Sequence, residues 1–279
     1  MSFSGLRVLS LESRRAKDME TLILRQQGVP FVAPSVQERS VEDHSIAFQF
    51  VERLEAGDFD MVVCMTGAGL AFLRDIVAPR IEPERLGAAL RRTAIVSRGS
   101  KPVPILRALN VPIAVMIPEP NTWREIVDAV RGRAERRIAI QEYGRPNLQM
   151  NTALESLGAT VTPIAIYRWE LPDDKEPLRQ AALRLAEGAF DVVIFTSSIQ
   201  LDHLLEVASD LGVRQEIMEG LRRIAIASVG PIMTDALLNV GLPPDISPKN
   251  PKMGALVKAT SERASEVLRA KGHFSKPRA

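Results

Sequence analysis

The chain repeats itself at a fixed interval, and that restricts its fold more than any other property. GDFDMVVCMTGAGLAFL begins at Gly57, and GAFDVVIFTSSIQLDHLL begins at Gly188, 131 positions later. LRRTAIVSRGSKPVPILRALNVP begins at Leu90 and LRRIAIASVGPIMTDALLNVGLP at Leu221, the same distance on. Gly99 thereby pairs with Gly230, Leu106 with Leu237 and Pro112 with Pro243. A constant offset across two separate strand–turn–helix patterns implies two copies of one unit, hence two similar domains. A weaker match sets GLRVLSLESRR against ERRIAIQEYGR, with Arg14 opposite Arg145.

Within each copy, short runs of β-branched and aliphatic residues alternate with longer amphipathic segments. Strands are expected at 6–11, 61–65, 93–97, 113–117, 138–141, 161–167, 192–196 and 224–228. Helical patterns such as RRAKDMETLILRQQG and HSIAFQFVERLEAG lie between them, several closing on Gly as helices do. Buried strands alternating with helices specify an α/β fold with parallel sheets. Two charged, proline-bearing stretches, PSVQERSVED (34–43) and RWELPDDKEP (168–177), break the pattern at equivalent places. They suit extended links. Two domains joined by two such strands are expected to leave a cleft between them and to hinge across it.

Composition narrows the chemistry. The 36 basic residues against 34 acidic ones leave a formal charge of +2, which argues against nucleic acid as a partner. Arg supplies 28 of the 36, which favours local, bidentate capture of carboxylates or phosphates. With one Cys, three His and two Tyr, a disulfide within the chain is impossible and a Cys/His metal site is not expected. The histidines (His44 and His203 on helical patterns, His273 in a basic tail) and Asp173–Asp174 in a linker offer no constellation. The first residues lack a signal-peptide pattern, and no apolar run approaches the ~18 residues of a membrane span, so a cytoplasmic protein without a membrane partner is expected.

The loops that follow the strands hold the remaining candidates. Thr66, Gly67, Ala68 and Gly69 follow one apolar strand, and Thr196, Ser197 and Ser198 follow its copy. Small and hydroxyl residues there cap the helix and leave backbone N–H groups for an anion. Plain capping accounts for either loop alone; two loops facing one cleft favour a ligand. Arg98, Gly99 and Lys101 in IVSRGSKP, and Gly230 in IASVGPIM, form the second pair of turns, although RGSK lacks the glycine spacing of a P-loop. QEYGRPN places Gly144 and Arg145 between a strand and a helix start, with Tyr143 as a wall or a core aromatic. Tyr167 ends a strand where the other copy has Val36, so the repeat itself does not require a phenol. A tyrosine so placed most often packs with its hydroxyl in water.

These strings resemble the uroporphyrinogen-III synthase family, the cyclising enzymes of tetrapyrrole biosynthesis. The likeness spans about residues 6–268 and is carried by DVVIFTSSIQLDHLL, IASVGPIMTDALLNVGLPPDISP and the tyrosine in VTPIAIYRWELP. IPEPNTWREIV, IQEYGRPN and YRWELPDD are similar to a branch also found fused to response-regulator or winged-helix modules. The resemblance implies two flavodoxin-like domains, 1–35 with 175–279 and 40–168, joined by a two-stranded linker. It implies a lyase that takes hydroxymethylbilane, a linear tetrapyrrole octacarboxylate, and acts as a monomer with neither metal nor cofactor. Loss of the hydroxyl gives an azafulvene cation, and closure through a spiro intermediate inverts ring D to give uroporphyrinogen III. The family's tyrosine falls on Tyr167 as the group that assists hydroxyl departure. Thr66, Gly67, Ala68, Arg98, Gly99, Lys101, Gly144, Arg145, Thr196, Ser197, Ser198, Gly230 and Thr234 become ligands of substrate carboxylates, mostly through main chain. One departure stands out. The family usually has Gly-Pro-x-Thr-Ala, whereas here GPIMTDAL puts Met233 at the threonine position and turns Thr234 by about 100° on a helix. The alternative implied by the same fold is a non-catalytic module that senses a tetrapyrrole or another polyanion.

Overall fold

In chain order, β1 (Arg7–Ser10), α1 (Ala16–Arg25) and β2 (Val29–Val32) open a first unit, and β3 (Gln37–Ser40) leads out of it. A second unit follows through α2 (Ser45–Ala56), β4 (Met61–Cys64), α3 (Gly67–Val77), α4 (Pro83–Leu90) and β5 (Ala94–Ser97). It continues with α5 (Val103–Ala108), β6 (Val115–Met116), α6 (Trp123–Val130), β7 (Arg137–Gln141), α7 (Leu148–Ser156), β8 (Thr160–Ile164) and β9 (Tyr167–Glu170). The chain completes the first unit with α8 (Glu176–Ala186), β10 (Val192–Phe195), α9 (Ser198–Asp210), α10 (Arg214–Arg223), β11 (Ala225–Ser228), α11 (Pro231–Asn239) and α12 (Met253–Ala270). This computed structural model describes residues 2–272, and His273 lies outside them. The units comprise Met1–Gln37 with Glu170–Ala279, and Glu38–Trp169.

Each unit is built on a parallel sheet, ordered β11-β10-β1-β2 in the first and β6-β5-β4-β7-β8 in the second. The central strands MVVC and VVIF show no polar alternation because helices cover both of their faces. In β10, Val193 and Phe195 enter one core while Val192 and Ile194 enter another; in β4, Val62 and Cys64 divide from Met61 and Val63 in the same way. Each such side chain contributes about 1.5–3 kcal/mol of apolar burial.

The pairings make the duplication measurable. Val96 pairs Val115 in the second unit, and a lone parallel bridge, Ala227 with Ile246, stands 131 residues further on. The fifth strand of the first sheet is therefore worn down to one bridge. The weak third match needs a correction of one residue. Val8 pairs Val192 and Ile138 pairs Met61, so the offset between β1 and β7 is 130, and Arg15 rather than Arg14 corresponds to Arg145. An ion pair repeats in both copies at this register: Arg7 grips Asp191 at 2.7 Å, and Arg137 grips Asp60.

The strand expected at 161–167 is two elements. Ile164 ends β8, and Tyr167 opens β9, which pairs with β3 as a separate two-stranded sheet. Both proline-bearing links therefore contain a strand, and the second is shorter than its composition suggests, because Glu176 and Pro177 already begin α8. Proline is at home in that first turn, where its missing N–H has no partner to lose.

Candidate active site

Parallel strands deliver their carboxyl ends to one edge of a sheet, so the loops there collect whatever chemistry the unit has. In the second unit the central loop joins β4 to α3. Thr66 is extended (φ −148°) and caps α3, its Oγ1 accepting from the Gly69 amide at 3.0 Å. Its own amide donates to Gln141 Oε1 at 3.1 Å, and its hydroxyl shares a 3.1 Å hydrogen bond with the Tyr167 hydroxyl. Two glycines make this possible. A Cβ on Gly69 would fall inside the Gln141 amide, and one on Gly67 would stand 2.5 Å from the Lys101 carbonyl oxygen.

Tyr167 is 1% exposed and stacks on Phe72, with centroids 5.5 Å apart and planes 15° from parallel. It does not reach into solvent as a strand-end tyrosine commonly does. Burial holds its phenol well above the usual range, and the hydrogen bond shared with Thr66 offsets this only in part. The charges that act on it include Glu38 and Arg98. Arg98 lies 4.3 Å over the Tyr143 ring, and Tyr143 meets Trp169 edge to face at 4.3 Å. Gly144 (φ +65°) completes this stack, because a Cβ there would sit 2.6 Å from the Trp169 indole. The Trp169 amide donates to the Gly144 carbonyl at 3.1 Å, tying the loop after β7 to β9.

In the first unit Ser197 holds the capping position of α9, with φ −157°. The amides of Thr196 and Ser197 donate to Gln200 Oε1 at 2.8 and 3.3 Å. Thr196 Oγ1 accepts from Gln200 Nε2 at 2.8 Å and donates to Glu12 Oε2 at 2.5 Å. Ser228 Oγ lies 2.9 Å from Thr234 Oγ1 and donates to the Gly230 carbonyl at 3.1 Å. Met233 is 1% exposed and belongs to the core of this unit. The departure in GPIMTDAL is thus absorbed by packing, with the threonine turned onto Ser228.

The structure brings the expected residues together in four groups. Thr66 joins Tyr167; Arg98 joins Gly144 through Tyr143 and Trp169; Thr196 and Ser197 join through Gln200; Gly230 and Thr234 join through Ser228. Ala68 lies half-buried in the first turn of α3, and Ser198 is buried in that of α9. Gly99 takes φ +76° against the Asn121 side chain. The Lys101 side chain is exposed and precedes α5, a helix of only 6 residues. Arg145 is exposed in the loop before α7, whose cap is Asn147. His44 precedes α2 rather than lying within it, and His203 Nδ1 lies 2.6 Å from the Ser35 carbonyl oxygen. Among the described residues no three His, Cys, Asp or Glu gather to hold a metal, and no helix is long and apolar enough to cross a membrane.

Sequence reasoning passed over Gln141, Gln200 and Glu12. The spacing Ser197-x-x-Gln200 is a capping-box signature and was sufficient to find the second. A glutamine closing the apolar run IAIQ is the only local sign of the first. Glu12 left none, since its partner lies 184 residues away.

A family model described as uroporphyrinogen-III synthase HemD matches residues 17–258. The uncharacterized protein YjjA of Bacillus subtilis is 26% identical over 261 residues, 91% of this chain and 94% of its own length. A putative uroporphyrinogen-III synthase of Methanothermobacter thermautotrophicus is 28% identical over 234 residues, 82% of this chain and 87% of its own. In fold, the chain is similar to a mutant uroporphyrinogen III synthase from the extremely thermophilic bacterium Thermus thermophilus, with a TM-score of 0.71 at 23% identity. That match covers 94% of this chain and 100% of the other. The enzyme of Helicobacter pylori 26695 gives 0.55 at 12% identity, over 91% and 97% of the two chains.

Proposed function

The chain belongs to the uroporphyrinogen-III synthase family, and we propose that it cyclises hydroxymethylbilane to uroporphyrinogen III with inversion of ring D. The observation that carries this reading is the hydrogen bond between Tyr167 and Thr66 at the head of α3. Departure of a hydroxyl needs a proton donor at the leaving oxygen. A phenol held protonated by burial donates without ionising first, and Thr66, itself bonded to the Gly69 amide, fixes where that hydroxyl points. The carbon–oxygen bond breaks as the Tyr167 proton reaches the leaving oxygen, giving water and the azafulvene cation. The proton released when the macrocycle regains its aromatic pyrrole restores the phenol. The start of α3 carries a partial positive charge, and Arg98, braced on Tyr143, adds a local cation for a substrate carboxylate. Cys64 takes no part, being fully buried with its thiol pushed up to about 12.

The test is to supply freshly made hydroxymethylbilane and resolve the type I and type III products. Type III in excess over the spontaneous reaction is expected; type I alone, at the uncatalysed rate, overturns the reading. Tyr167→Phe should lower kcat at least about tenfold, with KM changed less than about twofold. A second reading, a non-catalytic sensor of polyanionic tetrapyrroles, is favoured by one observation: the Tyr167 hydroxyl is buried and already bonded. Salt-sensitive binding of uroporphyrin by a chain that yields only type I would establish it.

A further inference from the structure

At the edge of the second unit's sheet that carries Thr66 and Tyr167, one buried carboxyl has nothing in the protein to satisfy it. Glu142 is 7% exposed, and among the described residues no donor or cation bonds its side chain. Arg98 lies over the ring of the next residue, Tyr143, and leaves Glu142 unpaired. The backbone here is firmly held. The Glu142 amide donates to the Ile164 carbonyl at 3.0 Å and the Trp169 amide to the Gly144 carbonyl at 3.1 Å, so residues 142–144 run beside the segment that carries Tyr167. Gln141 bonds the Glu142 carbonyl through Nε2 and the Thr66 amide through Oε1. One glutamine thus fixes both the phenol's partner and the backbone of the unpaired carboxyl. Among the described residues no fully enclosed side-chain oxygen or nitrogen lacks a partner. The Glu142 oxygens have none, so they are reached from outside. An acceptor desolvated in this way, with no internal donor, is complete only when a ligand supplies one.

We propose that Glu142 is a further catalytic residue, which accepts hydrogen bonds from pyrrole N–H groups of the ligand and pairs with the cation formed when the hydroxyl departs. This rests on the reaction proposed above. Once the hydroxyl is gone, the N–H groups are the only donors of a tetrapyrrole octacarboxylate, since its carboxylates are acceptors alone. In the azafulvene cation the positive charge is shared with a ring nitrogen, whose N–H becomes the strongest donor in the ligand. A carboxylate facing it gains more in the transition state than with the neutral ring, which is the condition for raising kcat. Without a ligand, burial favours the protonated carboxyl. N–H donors and a cation favour the ionised form, and the proton passes to the solvent that the oxygens reach.

The experiment is calorimetric titration, without oxygen, of uroporphyrinogen I and of uroporphyrin, which carries the same carboxylates. In uroporphyrin the N–H groups lie inside a planar ring, out of a side chain's reach, whereas the saturated bridges of a porphyrinogen let them turn outward. Glu142→Leu should bind uroporphyrinogen I about fivefold more weakly than the wild type does, and uroporphyrin no more weakly. Glu142→Gln keeps an acceptor oxygen but loses the charge. In steady state it should lower kcat at least about tenfold, with KM changed less than about threefold. Both variants should unfold at or above the wild-type midpoint, because each removes a buried carboxyl that the free protein leaves unsatisfied. A lowered midpoint in both would reveal a partner within the protein and overturn the inference. Equal effects on the two ligands, or a kcat for Glu142→Gln like the wild type's, would overturn it as well. A chain that makes only type I product, yet loses uroporphyrinogen binding selectively in Glu142→Leu, would overturn the proposed reaction and leave the N–H contact standing.

Discussion

Transplanting a cap from one copy of the repeat to the other is the sharpest test of the way these loops are built. In the second unit the Thr66 amide is satisfied by Gln141, which reaches across from β7 into space that Gly69 leaves empty. In the first unit the corresponding Ser197 amide is satisfied from within the helix by Gln200, and the place of Gln141 is taken by Leu11. The pair Gly69→Gln with Gln141→Leu should therefore rebuild in α3 the arrangement found in α9. Gln141→Leu alone strands a buried amide, at a cost of about 1–3 kcal/mol. Gly69→Gln alone drives a side chain into the Gln141 amide, an overpacking of about 1–3 kcal/mol, relieved by the ~0.5–1 kcal/mol that glycine costs a helix. Independent effects would sum to about 1–5.5 kcal/mol. The double variant should instead lie within about 1 kcal/mol of the wild type, a coupling on the order of 2 kcal/mol. Urea denaturation followed by circular dichroism measures the cycle, and hydrogen exchange at the Thr66 amide reports the cap itself. Additivity within about 0.5 kcal/mol, or a Thr66 amide that exchanges as fast in the double variant as in Gln141→Leu, would refute the equivalence of the two caps.

Gly67→Ala should destabilise the second unit by at least about 1 kcal/mol, since the atom in the way is the backbone oxygen of Lys101; a neutral change in the melting curve would contradict the packing described. Asp60 is held far below the usual carboxylate range by side-chain and then backbone hydrogen bonds from Arg137, with a further amide bond from Arg136. A depressed folded value means stability that is present above the unfolded value near 3.9 and lost as pH falls below it. Asp60→Asn should thus lower Tm at pH 7, and the gap to wild type should close as pH is lowered from about 4 to 2; a constant gap would exclude this linkage. Native Cys64, with its thiol pushed up to about 12, should react with a disulfide reagent at pH 8 only as fast as the chain unfolds.

Much of the fold was legible because it depends on local patterns: fully apolar strands such as VVIF, helices closed by glycine, and a repeat whose spacing survives divergence. The register between β1 and β7 was legible too: GLRVLSLESRR laid letter by letter on ERRIAIQEYGR sets Arg7 on Arg137, Glu12 on Glu142 and Arg15 on Arg145, an offset of 130. The Arg7–Asp191 and Arg137–Asp60 pairs carry the same register in the sheets. The break between Ile164 and Tyr167 was not legible. VTPIAIYRWE is β-prone throughout, and only the partner strand β3, more than 120 residues earlier, decides where one strand yields to the next. Loop residues such as Thr66 and Gly69 could be singled out from spacing. What they bond to could not be, since Gln141 and Tyr167 arrive from 75 and 101 residues away.

The two copies have kept one frame and exchanged the chemistry at its edge. Register places Glu12 beside Thr196 in the first copy; carried one pair past Cys64 and Gln141, it places Glu142 beside Met65 in the second. The hydroxyl that engages Glu12 is thus replaced by a thioether that cannot donate. Glu142 is 7% exposed, and burial raises its carboxyl above the usual range, opposite to what hydrogen-bond donors do to a carboxylate. The phenol follows the same division: Tyr167 stands in the second copy and Val36 in the first. Each substitution moves the second copy toward groups that keep their protons and leaves the first with a carboxylate engaged by neutral donors. A reaction that needs one proton at one leaving oxygen gains nothing from two identical edges. On the proposed reading, the duplication supplied two scaffolds and the divergence at these few loop positions assigned proton donation to one of them.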